Sequence, residues 1–512
     1  MMSTHNAEIK PLEGTALMIA AFMLCAANFV AVLNMTIANV AVPNIAGNLG
    51  STMSQGTWVI TSYAVGEAIT VPLTGWFAAR FGAVRVFVIA MIMFGVMSAL
   101  CGMSNSLGML VVARVFQGFA GGPLMPLSQT LLIKIFPKEK VGAAIGMWSM
   151  TTLVAPVVGP ILGGYLCDEY SWNYVFLLNV PIGLICGFFA WKLLKHYTDV
   201  ISKNPIDRIG LVLLIVWVAA FQIMLDEGKD LDWFASNKII ALATISLISF
   251  CIFIIWEWYE EHPIVDLKVF RHRGFWVSIL TISLAFAAFF GVNVLTPLWL
   301  QNFMGYTATD AGIATCWIGV SALLIAPIVA NVAEKMDARK LIFFGIIVMG
   351  LVTLWRSITT TEIDFWSIAL PLAMMGVGMP FFFIPTTGLA LGSVEEREMD
   401  SAAGLMNFLR TLSGAFATSL VNSSWSDLIT IKHAQLVDIS DSDNSFRMMF
   451  EQQNTPVDVT NQMIDSLITS QAVMLATNEV MLYLGVAFIC AAFAIWLAPK
   501  PTRFVEAGKG GH

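Results

Sequence analysis

The sequence predicts an all-α polytopic membrane protein of fourteen spans, built as two six-helix halves with an inserted two-helix hairpin. Three observations carry this prediction: the composition, the placement of basic residues, and an internal repeat. Of 512 residues, 57% are hydrophobic and only 12% charged, about half the charge of a soluble domain. Apolar runs of about 20 residues, the length that crosses a bilayer, recur along the chain. The net charge of −7 argues against nucleic acid, which requires a basic face. Six of the seven cysteines lie inside apolar runs without paired or metal-ligand spacing, so they read as small packing residues. No metal, cofactor or catalytic constellation is expected, and with no GxxxxGK[ST] or HExxH the chain does not read as an enzyme.

The spans are expected at about 14–40, 57–79, 84–102, 107–132, 142–166, 172–193, 209–226, 238–258, 274–301, 309–333, 340–357, 366–392, 400–425 and 475–498. The first begins near Gly14 without the basic flank and short apolar core of a cleaved signal peptide. Inner loops hold most Lys and Arg, which tests the segmentation independently. With the N-terminus inside, 20 of the 27 basic residues fall in inner segments. These include Lys10, Lys138, Lys203, Lys500, Arg503 and Lys509. Five (Lys229, Lys238, Arg356, Lys432 and Arg447) fall in outer loops, and Arg114 and Arg410 remain inside spans. Both termini of this multi-pass chain are therefore expected in the cytoplasm.

The repeat supplies the two halves. ANVAVP ending at Pro43 answers VNVLTP ending at Pro297, an offset of 254. Gly50 answers Gly305, Pro72 answers Pro327, Arg80 answers Lys335 and Arg85 answers Lys340, each offset by 255. The halves are then 1–198 and 263–512, with the hairpin at 199–262 and a long outer loop at 426–470. Parallel repeats of this kind are a transporter plan, with a substrate site between them near mid-membrane.

Four motifs follow. LNMTIANVAVP (33–43) lies in span 1, GWFAARFGAVR (75–85) between spans 2 and 3, LVVARVFQGFAGG (110–122) in span 4 and APVVGPILGG (155–164) in span 5. In the last, Gly159, Gly163 and Gly164 allow close approach of another helix. Pro160 removes a backbone hydrogen bond and bends the span. The contact serves either as a seal between transport states or as ordinary packing. Arg80 and Arg85, in the loop segment that also holds Gly75 and Gly82, can bind helix C-terminal carbonyls or lipid phosphate. They can equally serve topology alone.

These motifs resemble those of the fourteen-helix drug:proton antiporter family of the major facilitator superfamily, and within it the EmrB-type exporters. The resemblance extends over essentially the whole chain, with QGTWVITSY (55–63) and the 426–470 segment particularly similar. It implies proton-driven export of hydrophobic drugs, uncouplers and weak acids. It also implies a periplasmic membrane-fusion adaptor and an outer-membrane channel as partners. Two departures matter. The family's acid in the loop after span 2 is Ala79 here, and its acid in span 1 is Asn34, which cannot carry a proton.

Glu67 offers a replacement. It is the only charged residue between Glu13 and Arg80. It lies ten residues into span 2, about 15 Å deep in a core of about 30 Å. A charge there costs at least about 2.5–3.5 kcal/mol, so it should face the interior or a wet cavity. Either Glu67 is the proton carrier, with Asn34 as a polar neighbour and Arg114 of span 4 as partner, or it is a permanently neutral group hydrogen-bonded between helices. The resemblance links the Arg114 position to proton transfer. Gln117 of the same motif and Arg410 of NFLRTLSG (407–414) are further candidates for substrate or coupling roles. Arg410 either holds an anionic substrate or completes a helix contact.

The 28 methionines and 35 phenylalanines, with FFF at 381–383, are compatible with an adaptable apolar cavity, although most such residues face lipid. The acidic 426–470 segment, with Phe446, Met449, Phe450, Met463, Ile464 and Ile468, reads as a docking element or a flexible tether. The rival reading is an uncoupled facilitator or an exporter of one dedicated metabolite. A receptor or scaffold would need a soluble signalling domain, and the longest inner segments have only about 15 residues.

Overall fold

The computed structural model describes residues 12, 14–137, 140–197, 206–333, 335–442 and 457–499, and these are helix and turn throughout. The expectations at Lys10, Lys138, Lys203, Phe446, Arg447, Met449, Phe450, Lys500, Arg503 and Lys509 lie outside the described residues. The chain opens with α1 (Gly14–Asn48), α2 (Met53–Thr70), α3 (Thr74–Phe81), α4 (Ala83–Gly102), α5 (Leu107–Gly121) and α6 (Leu124–Ile135). Next come α7 (Val141–Glu169), α8 (Asn173–Leu177), α9 (Asn179–Leu194), α10 (Arg208–Glu227) and α11 (Asn237–Tyr259). It closes with α12 (Arg273–Phe303), α13 (Ala308–Ala333), α14 (Ala338–Arg356), α15 (Phe365–Gly392), α16 (Met399–Ser442) and α17 (Val457–Ala494).

Local chemistry accounts for the boundaries. Thr52 caps α2 in a reciprocal box with Gln55, and Ser106, Asp207 and Asp337 cap α5, α10 and α14, each satisfying orphan N–H groups. Pro72 lies in the break between α2 and α3, and Gly122–Pro123 lie between α5 and α6, where proline cannot continue the ladder. The second and fourth spans are thus each two helices. Within α7 the segments Val141–Pro156 and Val158–Glu169 meet at 43°. The expected bend is therefore present, one turn before Pro160. The carbonyl left unbonded by Pro160 belongs to residue 156, four positions earlier.

Two members of the repeat have the same conformation. Gly50 and Gly305, just beyond α1 and α12, both take the left-handed backbone, with φ of 63° and 72°. Glycine adopts this without a Cβ penalty. Pro72 and Pro327 differ, since Pro72 separates two helices and Pro327 lies inside α13.

Among the described residues eleven helices are long and apolar enough to cross a membrane, or twelve with bent α7 counted as one. The pair α2–α3 and the helix α16, where the expected spans 57–79 and 400–425 lie, are not among them. Glu67, Asn407 and Arg410 all lie on these helices, and their polar load lowers the hydropathy.

The 426–470 segment requires a correction. It is not a loop over most of its length: α16 continues to Ser442 and α17 begins at Val457. At 1.5 Å per residue the 44-residue α16 and 38-residue α17 extend about 66 and 57 Å, well beyond a hydrocarbon core of about 30 Å. Neither Gly nor Pro interrupts Ser426–Ser442. The two helices are tied by Trp425 Nε1 donating to Thr477 Oγ1 at 3.0 Å and by Lys432–Glu479 at 2.8 Å. His433 and Asp465 meet at 3.3 Å. Length and polarity suggested a loop, whereas unbroken helix formers and paired charges make a helical hairpin.

The helices α10 and α11 pack on each other, and α10 also lies on α2 and α16. Ser419 Oγ donates to the Leu225 carbonyl at 2.7 Å, and Trp233 Nε1 donates to Ser423 Oγ at 3.0 Å.

Basic-rich connections lie at one end of the bundle, here termed the basic end. There Lys134 in the last turn of α6 pairs with Asp400 of α16 at 3.1 Å. Glu398 receives Arg271 at 2.6 Å and meets His272 at 3.0 Å. Arg339 bonds Asp337 at 3.0 Å and the Ala498 carbonyl at 3.3 Å. The same guanidinium holds the Asp337 carboxyl below the usual carboxylate range.

Candidate functional site

The first six spans enclose a polar cluster in an otherwise apolar core. Two glycines set it. A Cβ on Gly66 would lie 2.4 Å from the Val115 carbonyl oxygen, and one on Gly118 would lie 2.3 Å from that of Tyr63. The α2 and α5 backbones therefore touch, as only glycine permits. This contact places Glu67, the residue after Gly66, beside the face of α5 that carries Arg114 and Gln117.

All four candidates of the cluster are buried: Asn34, Arg114 and Gln117 fully and Glu67 to within 1%. Arg114 Nε donates to the Val59 carbonyl and Nη1 to Gln117 Oε1, both at 2.8 Å. Gln117 Nε2 donates to Ser98 Oγ at 2.6 Å and to Asn34 Oδ1 at 3.4 Å. Asn179 Nδ2 reaches the same Asn34 oxygen at 3.3 Å. The guanidinium also sits 4.3 Å above the Tyr63 ring and 5.4 Å from Phe176, a cation–π arrangement. The network thus satisfies the amide and guanidinium groups largely among themselves. Glu67 takes no part in it, and among the described residues neither carboxylate oxygen has a hydrogen-bond partner.

Arg410 approaches from α16. It is 2% exposed and, with Arg114, lies within electrostatic reach of Glu67. Its guanidinium carbon is 5.6 Å from the Trp148 ring, 5.1 Å from Phe286 and 5.5 Å from Phe383. Nη2 meets Met125 Sδ at 2.9 Å, and Nη1 is unpartnered. This aromatic cage draws on α7, α12 and α15, and was not foreseen. Its one visible sign in the sequence was the FFF run, of which Phe383 faces the arginine while Phe381 packs against Phe344 at 5.2 Å.

The remaining candidates sit elsewhere. On α7, a Cβ at Gly159 would lie 2.2 Å from Thr36 Oγ1, and one at Gly163 would lie 3.0 Å from the Ile37 carbonyl oxygen. The span-5 glycines therefore seat α7 on α1, and Gly164 is buried beside them. Asn28 Nδ2 fastens the same seam, donating to Thr151 and Thr152 at 2.7 Å each. Gly75 is at the basic end, where a Cβ would lie 2.2 Å from Ser401 Oγ. Gly82 turns the chain between α3 and α4 with φ of 86°. Arg80 ends α3 and exposed Arg85 begins α4. Between the halves, Asn407 Nδ2 donates to Gln129 Oε1 at 3.1 Å. The inventory of buried charge also grows. Glu257 is fully buried, and Arg356, expected in an outer loop, is the last residue of α14 and 5% exposed.

The comparisons agree with this architecture. The model of the Major Facilitator Superfamily matches residues 24–418. The chain is 41% identical over 508 residues to the multidrug export protein EmrB of Escherichia coli strain K12, covering 98% of this chain and 99% of that one. It is 39% identical to the fatty acid resistance protein FarB of Neisseria gonorrhoeae, with 98% and 99% covered. A solved structure of the proton:xylose symporter XylE superposes with a TM-score of 0.59 at 13% identity, covering 94% of this chain and 95% of that chain, a likeness of fold alone. On this combination of fold, motifs and relatives, the chain belongs to the Major Facilitator Superfamily, in the family of the EmrB export proteins.

Proposed function

We propose that the chain is an inner-membrane, proton-driven exporter of hydrophobic drugs and other toxic small molecules, with Glu67 as the proton carrier. The observation that carries this is a buried carboxylate without a hydrogen-bond partner among the described residues, with two buried arginines, Arg114 of α5 and Arg410 of α16, within electrostatic reach. Burial disfavours the ionised carboxylate and the guanidiniums favour it, so a change in water access or in the placement of either arginine moves the proton on or off. Access to the outer side then loads Glu67. Access to the cytoplasm, with water and rearranged guanidiniums, stabilises the carboxylate and releases the proton. Coupling the two openings to opposite substrate movement turns the proton gradient into export. Asn34 serves as a neutral acceptor that orients Gln117 and Asn179 and no longer titrates.

The reading includes the fourteen-span plan: halves 1–198 and 263–512, hairpin 199–262, and both termini cytoplasmic. The basic end then faces the cytoplasm, where Gly75 against Ser401 and Lys134 against Asp400 hold the halves together. The seam of α7 on α1, with Gly159, Pro160, Gly163 and Gly164, serves as the seal that alternates with it. Arg410 in its aromatic cage contributes to the substrate surface, with affinity for amphipathic acids, in keeping with the name of the fatty acid resistance relative. The protruding part of α16–α17 is the docking element for a periplasmic adaptor and, through it, an outer-membrane channel. Val459, Met463 and Leu467 are exposed at spacings of four, so they share one face of α17.

The test is proton release from liposomes. With an inward proton gradient, adding a hydrophobic drug should release protons through the native protein and not through Glu67→Gln, with both variants equally folded. Drug movement without proton flux in both would reassign Glu67 to structure and make the protein an uncoupled facilitator, the role that Asn34 and Ala79 favour.

A further inference from the structure

Arg356 poses a problem that the transport reading leaves unsolved. It ends α14 and is 5% exposed, yet no carboxylate pairs with it among the described residues. Nη2 donates to Thr296 Oγ1 at 2.8 Å, while Nη1 is buried and unpartnered. A guanidinium does not shed its proton in a protein, and a buried charge without a counter-charge costs several kcal/mol.

Two acids beside the cavity-lining residues in sequence, Asp364 and Glu479, are committed elsewhere. Asp364 bonds Ser367 at the start of α15, and Glu479 is held by Lys432 at 2.8 Å and by Tyr483 at 2.5 Å. The hydroxyls around the arginine are largely committed too. Thr296 Oγ1 donates to the Val292 carbonyl at 2.7 Å. Thr477 Oγ1 donates to the Val473 carbonyl at 2.8 Å while accepting Trp425 Nε1. What remains at Arg356 is donor capacity with a net positive charge.

A cavity of about 10 Å³ adjoins it, lined by Arg356 with Trp299, Thr359, Ser367, Thr477 and Met481. That is room for about one water-sized sphere; a halide, slightly larger than water, needs only a small outward shift of the lining side chains, whereas a phosphate or a carboxylate ligand needs the wall to open. We propose that this cavity is a site for a small monatomic anion, chloride under ordinary conditions, held by the guanidinium of Arg356 at the end of the C-terminal half opposite the basic end. The lining residues belong to α12, α14, α15 and α17 and to the turn after α14. A bound anion would neutralise the charge and tie these elements together, apart from the Glu67–Arg410 region.

Two measurements test this. Purified protein in detergent is titrated with sodium chloride at constant ionic strength, with gluconate as the replaced anion, and thermal unfolding is followed. A saturable rise in Tm of about 2 °C is expected, because a ligand specific to the folded state stabilises it by mass action. Bromide should reproduce the rise and inorganic phosphate should not, and Arg356→Met should abolish it. Crystals grown in bromide should show anomalous density beside Arg356, a readout that needs no variant. A Tm independent of halide, together with no anomalous density, would overturn the proposal and leave water as the occupant. A response to phosphate or anionic lipid but not to halide would overturn it as well, in favour of a larger anion from solution or from the headgroup layer.

Discussion

At the scale of single residues, glycine and charge decide the site between them. Gly118 illustrates the first. Its missing side chain is what lets α5 touch α2, since a Cβ would sit 2.3 Å from the Tyr63 carbonyl oxygen. Gly118→Ala is therefore expected to cost about 1–3 kcal/mol, the usual penalty of overpacking. Gly108 on the same helix has nothing within 4 Å of its would-be Cβ, so Gly108→Ala should be neutral or slightly stabilising. Thermal unfolding of the two variants side by side separates them, and equal Tm values would remove the close contact from the account. Charge was only half legible at this scale. Glu67, Arg114 and Arg410 stand out because each interrupts an apolar run. Arg356 does not, since it closes an apolar run next to polar Ser357 and Thr359, as an interfacial loop cation would. Its burial comes from α12, α15 and α17, which are distant in sequence.

At the scale of elements, hydropathy and helix formation are separate properties, and the two came apart in α16. The run from Met399 has no Gly or Pro beyond Gly404 and Gly414 and forms one helix of 44 residues. Its composition nonetheless reads as a span over 400–425 followed by a loop. The contact of α3 with the start of α16 holds the two halves together at the basic end, with Gly75 against Ser401 as its tightest point. A larger residue there should disfavour this closed arrangement while leaving each half intact. For Gly75→Val a cost of about 1–3 kcal/mol corresponds to a five- to 150-fold shift in population. Cysteine placed at Ser401 reports it: alkylation by a membrane-impermeant thiol reagent from the basic end should speed up in the Gly75→Val background. An unchanged rate would mean that this contact does not open in the working cycle.

At the scale of the whole molecule, the protruding part of α16–α17 and the membrane-embedded bundle can be tested apart. If the proposed function holds, replacing residues 431–467 with a short turn should leave proton-coupled drug movement in liposomes intact but abolish drug resistance in cells, where the proposed adaptor would dock. Retained resistance would make the hairpin a tether, and loss of liposome transport would make it part of the transport machinery.

The sequence by itself determined the class, the family resemblance and the position of most spans. Those depend on composition, on period and on short motifs, each a property of neighbours along the chain. Glu67, Arg114 and Arg410 stood out because a charge inside a span is costly, and Asn34 and Gln117 because of their places in the motifs that resemble the family's. Only the tertiary structure decided which of these satisfy one another and which is left over. Asn34, Arg114 and Gln117 close into a hydrogen-bonded network and Glu67 does not. Arg410 meets an aromatic cage assembled from three other helices. The physical reason is that hydrogen bonds and cation–π contacts act over about 3–6 Å between side chains. In this fold those side chains are brought within range by helices up to 285 positions apart in the chain.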